Sequence, residues 1–367
     1  MAQQQRFEDR ELLEKEAIRL FGCREHENYE ATVAPSRLDS ASMIRTFVLT
    51  ALLLVFAGTP QAFAWGCDGH QAVALIAERL LSPATVAALN AILAASPVDP
   101  AIKPYCPPLP LDPMADAATW ADDNRTLEPA TGGWHFINFP LSVGGNTSGN
   151  RKYCPRGNCV VDAIVAQYRT LTTTTDSRVK GNALRYIIHF VGDVHQPLHS
   201  LTNGDRGGNC LPITYYGMPP QEDERLNWRP NLHSVWDDGT VRRLMTTKGL
   251  ADSRSLADYL VAQAPLPRVS ARKPSADRIA SWTRDGAKLA RTVAYGKLPV
   301  TPPLEPAAAA YSLASCDDNN HVGRRMATLH EQIAETYEHA AVPVIVQQLR
   351  LAGERLAAVL KAAFPTY

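Results

Sequence analysis

His189 and Asp193 stand four residues apart inside an apolar stretch, LRYIIHFVGD (184–193). That spacing puts both on one face of a helix. The apolar neighbours bury the helix, and a buried carboxylate needs a partner of opposite charge. The chain must therefore supply a core helix with a charged face, and other residues must come to meet it. His233 and Asp237 repeat the spacing in NLHSVWDDG. His199 follows just past Pro197, where the helix should end. Asp122 closes a helical stretch, and His135 follows after a loop. One His-x-x-x-Asp is usually a satisfied core pair. Two of them, flanked by further His and Asp residues, point to metal. Imidazole and carboxylate without thiolate suit zinc with open catalytic positions rather than a closed structural site.

Hydrophobic periodicity places this pair in a mostly α chain. Helices are predicted over Gln71–Leu81 and Pro83–Ala95, the second with Ser82 as N-cap and Pro83 in its first turn. Further helices are predicted over Met114–Arg125, Cys159–Leu171, Lys180–Val194, Ser234–Thr247, Ser255–Gln263, Ser275–Tyr295 and Arg324–Phe364, the last divided in two at Pro343. Pro97–Pro113 reads as an irregular loop. Thr131–Asn150 reads as a loop with an extended piece around Trp134–Phe139. The Gly- and Pro-rich Thr202–Leu232 stretch has room for a small β-hairpin. The expected fold is a single compact α-helical domain with long loops between helices.

Where that domain begins is set by Met43-Ile44-Arg45, the apolar run Phe47–Ala57, the breaker Gly58-Thr59-Pro60 and the A-x-A site Ala62-Phe63-Ala64. This is the grammar of a secretory signal peptide, too short to span a bilayer comfortably. We read residues 1–42 as a non-native leader ahead of a mis-assigned start, 43–64 as the signal peptide, and 65–367 as the functional domain, secreted or periplasmic. The competing reading is a real extension with an uncleaved anchor. The whole chain balances 37 basic against 37 acidic side chains. The first 64 residues hold 7 of those basic and 9 of those acidic groups, which leaves +2 on the remainder. A near-neutral chain excludes binding through a broadly basic surface. It does not exclude an enzyme that carries its positive charge as bound metal.

Of the 7 cysteines, Cys23 lies in the leader. The remaining even number, after an export signal, suggests disulfides, although free buried thiols are the alternative. Cys154 and Cys159 enclose a short turn and form the local pair. Of the connectivities left open for the other four, we take Cys67 with Cys106 and Cys210 with Cys316. Asn124-Arg125-Thr126 and Asn146-Thr147-Ser148 are glycosylation sequons.

Cleavage after Ala64 would make Trp65 the first residue. Its free α-amine is then a nitrogen donor, with its own carbonyl in chelating position and His70 near. The bland alternative is an ordinary exposed terminus.

Trp65…His70, Trp120-Ala121-Asp122…Arg125, Trp134-His135-Phe136, the run HFVGDVHQPLH (189–199), Gly207-Gly208-Asn209 and Asn231-Leu232-His233…Trp236-Asp237 occur in that order. From Trp65 to the chain end, including AGERLA (352–357), the sequence resembles the zinc-dependent single-strand nucleases of the S1/P1 type. These share a fold with zinc phospholipases C. The resemblance implies three zinc ions in a cleft. Asp122, His135, His189 and Asp193 would hold the first. The Trp65 amine and carbonyl, His70 and a bridging Asp193 would hold the second. His199, His233 and Asp237 would hold the third. His195 would be structural; His321, His330 and His339 would lie on the surface.

The same resemblance implies hydrolysis of single-stranded DNA and RNA to 5′-phosphate products, with removal of 3′-phosphates from nucleotides. A metal-activated hydroxide would attack phosphorus. Asp122 would orient or deprotonate the water. Arg125, one helical turn later, would stabilise charge on the phosphorus. Phe136 would stack a base, and Asn138 and Asn209 would bond a base edge. A stacked, splayed base favours single strands. The rival reading is a zinc phospholipase C on the same scaffold. No stable protein partner is implied, no membrane contact after signal cleavage, and a monomer is the default.

Overall fold

The computed structural model describes residues 65–143, 150–222, 228–304, 316 and 331–365. The proposed leader and signal peptide, Asn146, His321 and His330 lie outside them. Among the described residues the chain is mostly helical, as expected. Helix α1 (Gly66–Arg79) carries Asp68 in its first turn and Arg79 in its last, the signs that complement a helix dipole. Helix α2 (Pro83–Ala94) starts as predicted, with the Ser82 hydroxyl accepting from the Thr85 amide at 3.0 Å. Helices α3 (Pro113–Ala117) and α4 (Trp120–Asn124) occupy the stretch predicted as one helix. The break has a tertiary cause. The Ala118 carbonyl leaves the ladder to accept from His189 Nδ1 at 2.7 Å, and the Asp122 amide turns to Thr119 O instead.

An extended piece, β1 (Phe139–Pro140), runs parallel to β2 (Leu201–Thr202). Helices α5 (Val160–Thr173) and α6 (Ser177–Asp193) pack side by side across a short turn, with Asp176 capping α6 through the Val179 amide. Strand β3 (Ile213–Tyr215) follows. Then β4 (Gln221–Glu222) and β5 (Trp228–Arg229) pair antiparallel, the expected small hairpin. Helix α7 (Leu232–Ser234) runs through a π turn, Val235–Gly239, into α8 (Thr240–Lys248). Helices α9 (Ser253–Ala262) and α10 (Ala276–Leu289) come next, and α10 continues as a π turn over Ala290–Ala294.

The last prediction needs correcting. Glu331–Ile333 forms β6, paired parallel with β3, rather than helix. The helix then runs unbroken as α11 (Glu335–Ala363) through Pro343. Pro343 is exposed, so the carbonyl it leaves without a donor faces water. Tyr337, Ala341, Ile345 and Leu349 are buried on either side and hold the helix together across it.

The core lies where α11 packs along α1, with α6 and α9 against α1 as well. Gly353 permits the approach of α1 and α11: a Cβ there would stand 2.5 Å from the Ile76 side chain. Disulfides join Cys67–Cys106, Cys154–Cys159 and Cys210–Cys316, all three as paired above. The first ties the proline-rich loop to α1, and each closed loop adds on the order of 2–4 kcal/mol. Asn124 is buried and donates to the Tyr186 hydroxyl at 2.7 Å, so its sequon is not presented to solvent. Among the described residues no helix is long and apolar enough to cross a membrane.

Candidate metal centre

Helix α6 delivers His189 and Asp193 to its last turn, fully buried, with His189 Nε2 3.2 Å from Asp193 Oδ2. The Ala118 carbonyl takes the Nδ1 hydrogen of His189, which leaves Nε2 as the nitrogen that could ligate a metal. From the end of a 3₁₀ helix, Pro129–His135, His135 Nδ1 arrives 3.0 Å from Asp193 Oδ2 and 3.1 Å from His189 Nε2. From α4, Asp122 brings Oδ1 to 3.5 Å from His135 Nδ1 and Oδ2 to 3.7 Å from His189 Nε2. From α1, His70 Nε2 lies 3.4 Å from the other Asp193 oxygen, Oδ1. The two oxygens of Asp193 thus face two different groups, the geometry of a bridging carboxylate.

A second region forms beside the first. His199 Nε2 and His233 Nε2 stand 3.1 Å apart, and His233 Nε2 is 3.3 Å from Asp237 Oδ2. His199 donates Nδ1 to the His135 carbonyl at 2.8 Å, which links the regions. His233 donates Nδ1 to the Gly207 carbonyl at 2.7 Å. Gly207 has φ +64 and no room for a side chain, since a Cβ would meet Leu198 O at 2.5 Å. Only glycine brings that carbonyl to the ring. Among the described residues three metal-capable groups result, all buried: His70/His189/Asp193, Asp122/His135/His189 and His199/His233/Asp237.

The donors fit a cation. His70 Nδ1 and Nε2, His135 Nε2 and Asp193 Oδ1 are buried without hydrogen-bond partners. Such orphaned atoms are costly unless something else satisfies them. Burial holds His135 and His199 below the ordinary imidazole range and takes His70 to about 4; burial, then His199, takes His233 to about 3. Those rings are neutral, with lone pairs available. Burial opposes charge on His189, but Asp193 and Asp122 outweigh it and raise the ring to about 9. Burial likewise opposes charge on Asp193, but the His189 cation and bonds from His135, His189 and His70 hold it well below the carboxylate range. Asp237 goes the other way: burial, with Asp238 and Asp122 nearby, raises it well above that range. Protons stand where cations would, and metal binding would displace them.

The Trp65 indole is fully buried and donates to the Gly192 carbonyl, the residue before Asp193, at 2.9 Å. Its carbonyl accepts from the Gly69 amide at 3.1 Å, and Gly66 lies against Asp238. The Trp65–Gly66 corner therefore sits between the two i,i+4 pairs. Arg125 Nη1 donates to Asp122 Oδ1 at 3.0 Å, so the predicted shared helix face is realised. Phe136, beside buried His135, is 38% exposed. Its extended backbone turns the ring outward while Ile137 turns in, and half-buried Asn138 follows on the Phe136 side. Asn209, also half-buried, donates its amide to the Arg206 carbonyl at 2.8 Å.

Two contributors were not read from the sequence. Gln196 donates Nε2 to Asp237 Oδ1 at 2.6 Å and accepts the Leu198 amide on Oε1 at 2.6 Å. Its place inside the His-rich run was the signal. Arg206, at φ +57 next to Gly207, lies close enough to Arg125 and His233 for its charge to act on both. His195 is buried and donates to Val191 O, the structural role expected, and His339 is exposed.

Endonuclease 2 of Arabidopsis thaliana is 23% identical over 86% of this chain and 96% of its own length. Nuclease S1 of Aspergillus oryzae is 27% identical over 58% of this chain and 67% of its own length. Nuclease P1 of Penicillium citrinum is 30% identical over 54% and 66%. The S1/P1 Nuclease family description matches residues 65–365, from the buried Trp65 to the end of α11. That match spans the elements that assemble the three His/Asp groups, and the chain belongs to the S1/P1 nuclease family, hydrolases that act on ester bonds.

Proposed function

We propose that residues 65–367 form an exported, zinc-dependent endonuclease that cuts single-stranded DNA and RNA to 5′-phosphate products and removes 3′-phosphates from nucleotides. The observation that carries this is the adjacency of three His/Asp groups to an outward-facing aromatic ring, Phe136, on the next residue after His135. Asp122, His135, His189 and Asp193 would hold one zinc. His70, Asp193 and the Trp65 amine and carbonyl would hold a second. His199, His233 and Asp237 would hold a third. Bound zinc supplies Lewis acidity toward phosphoryl oxygens and lowers the pKa of coordinated water toward neutrality.

The chain's own residues do the rest. Asp122 directs the attacking water and takes its proton on a carboxylate oxygen. Arg125, bonded to that carboxylate at 3.0 Å, donates to the phosphoryl oxygens as charge builds there. The P–O3′ bond breaks in line with attack, and the 3′-oxygen takes up its proton from solvent water as it leaves. Phe136 offers a face to any base, which suits sequence-tolerant recognition of unpaired strands. Asn138 and Asn209 stand to bond a base edge. The three disulfides support export into an oxidising compartment.

The test is to incubate protein beginning at Trp65 with single-stranded DNA, RNA, duplex DNA and phosphatidylcholine vesicles. Single strands should be cleaved fastest, and lipid cleavage alone would overturn the reading in favour of a phospholipase C. Metal analysis should find near three zinc per chain. Asp122→Asn should keep most of that zinc and lose roughly 10³-fold in turnover. Protein carrying extra residues ahead of Trp65 should bind less zinc; equal loading would remove the amine from the ligand set.

A further inference from the structure

Helix α10 and the C-terminal half of α11 flank a groove of about 350 Å³, lined among others by Arg268, Arg272, Arg278, Trp282, Glu354 and Arg355. An adjoining hollow of about 520 Å³ shares Arg272 and Arg278 and adds Lys273. Five cationic side chains thus gather in a chain that is neutral overall. Glu354 is the acid in the lining, and Arg350 stands 3.8 Å from it; Asp285 stands 3.9 Å from Arg355.

The groove is held in shape. Its floor is Arg355, which donates to His195 Nε2 at 2.9 Å and lies 4.8 Å over the Trp282 ring. His195 must accept that bond because its Nδ1 hydrogen goes to Val191 O. The rim is the irregular segment between α9 and α10. Its backbone is pinned by Arg272 N to Ala358 O at 2.9 Å, by Lys361 Nζ to Val269 O at 3.1 Å, and by Arg278 to Lys273 O. Arg268, Arg272 and Lys273 project from it into solvent. A pinned loop that gathers several cations at one place offers charge complementarity to an anionic occupant. Trp282 is buried under Arg355, and none of the exposed large apolar side chains lies here, so the groove offers no wedge for a bilayer.

The groove also has a place relative to the metal centre. Helix α10 packs on Pro197–His199, and His195 belongs to the segment that carries Asp193 and His199. Resting on the nuclease reading above, we propose that this groove binds the phosphate backbone of single-stranded nucleic acid at a second place, outside the metal centre. Guanidinium forks match phosphate oxygens bidentately, and cations spread over two adjoining hollows suit successive phosphates of one strand.

The test compares the protein with Arg268→Glu/Arg272→Glu/Lys273→Glu, three exposed positions where charge reversal leaves the core untouched. The readout is the ratio of kcat/KM for a strand of about 30 nucleotides to that for a dinucleotide. The ratio should fall about tenfold, and the log–log salt dependence for the long strand should flatten by about 2. Arg268→Lys/Arg272→Lys, which keeps a positive charge at all three positions, should leave both close to their unaltered values. An unchanged ratio and slope would overturn the proposal. So would binding to phosphatidylglycerol vesicles that the triple change abolishes while strand cleavage persists. If the unaltered protein cleaves neither substrate, the nuclease reading fails. The groove is then judged by binding of a fluorescent single strand, and equal binding by both proteins overturns it.

Discussion

His189 and Asp193 stand four apart on α6, and His233 and Asp237 stand four apart across the junction of α7 with its π turn. The imidazole–carboxylate distances nearly coincide, 3.2 and 3.3 Å. The charge states do not. In the first pair His189 is raised to about 9 and Asp193 held well below its ordinary range; in the second, His233 falls to about 3 and Asp237 rises well above its range. Asp193 is met by three imidazoles, whereas Asp237 is met by one neutral ring, an amide from Gln196 and the nearby carboxylates of Asp238 and Asp122. Spacing makes the pair; the elements packed around it decide whether the pair can hold its own charge. In the first region the His189 cation balances Asp193 while nitrogens of His70 and His135 stay unsatisfied; the second region needs a cation to keep Asp237 ionised.

The sharpest way to break this contrast is to remove each carboxylate's charge. Asp193 faces both groups of the first region, so Asp193→Asn should empty that region of metal and lower turnover by roughly four orders of magnitude. Asp237→Asn should release about one metal and cost about 10²–10³-fold, because the first region keeps its own ligands. Metal content by atomic absorption, read beside turnover, checks both. If Asp237→Asn empties the whole centre, the two regions are one cooperative unit and the contrast fails.

A smaller effect is expected at Gln196, the amide that orients Asp237. Gln196→Ala should weaken metal retention in the second region about 10–100-fold and leave the other metals in place. Chelator titration would show one metal leaving early. Uniform loss of all metals would mean that Gln196 supports the fold and not the ligand.

At Phe136 the contrast concerns substrate instead of metal. Phe136→Ala should leave metal content intact and cost about 1–3 kcal/mol of single-strand recognition, seen as a higher KM. Preference for single over double strands should narrow with it. A fall in kcat alone would place the ring in packing.

How far the sequence foretold this differs between the same regions. The His189–Asp193 pair is legible because helical period and local spacing coincide; the even cysteine count implies disulfides and the short turn implies Cys154–Cys159, but the count alone does not pair the other four cysteines. The break between α3 and α4 is not legible, since it depends on Ala118 O turning toward a ring 71 residues away. Gln196 and Arg206 escape for the same reason: their meaning lies in partners that only the fold brings near. The Pro343 prediction erred because proline's penalty was charged without knowing that the helix face at that point opens to water.

The smallest effect belongs to His195, on the segment that joins the regions. Its ring is buried, bonded to Val191 O and Arg355, and driven by burial and then by the Arg355 charge to about 3. A histidine with its folded pKa below the unfolded value of 6.5 stays neutral in the fold while the unfolded chain takes up a proton. Stability is then complete above about pH 6.5 and drains as pH falls toward 3, by about 2 kcal/mol at pH 5. In metal-loaded protein, where the ligand rings are held by their ions, His195→Asn should reduce the loss of unfolding free energy between pH 7 and 5 by that amount, seen as a smaller fall in Tm. Parallel melting profiles for the two proteins would assign the acid sensitivity to the metal ligands and leave the joining segment neutral in the contrast.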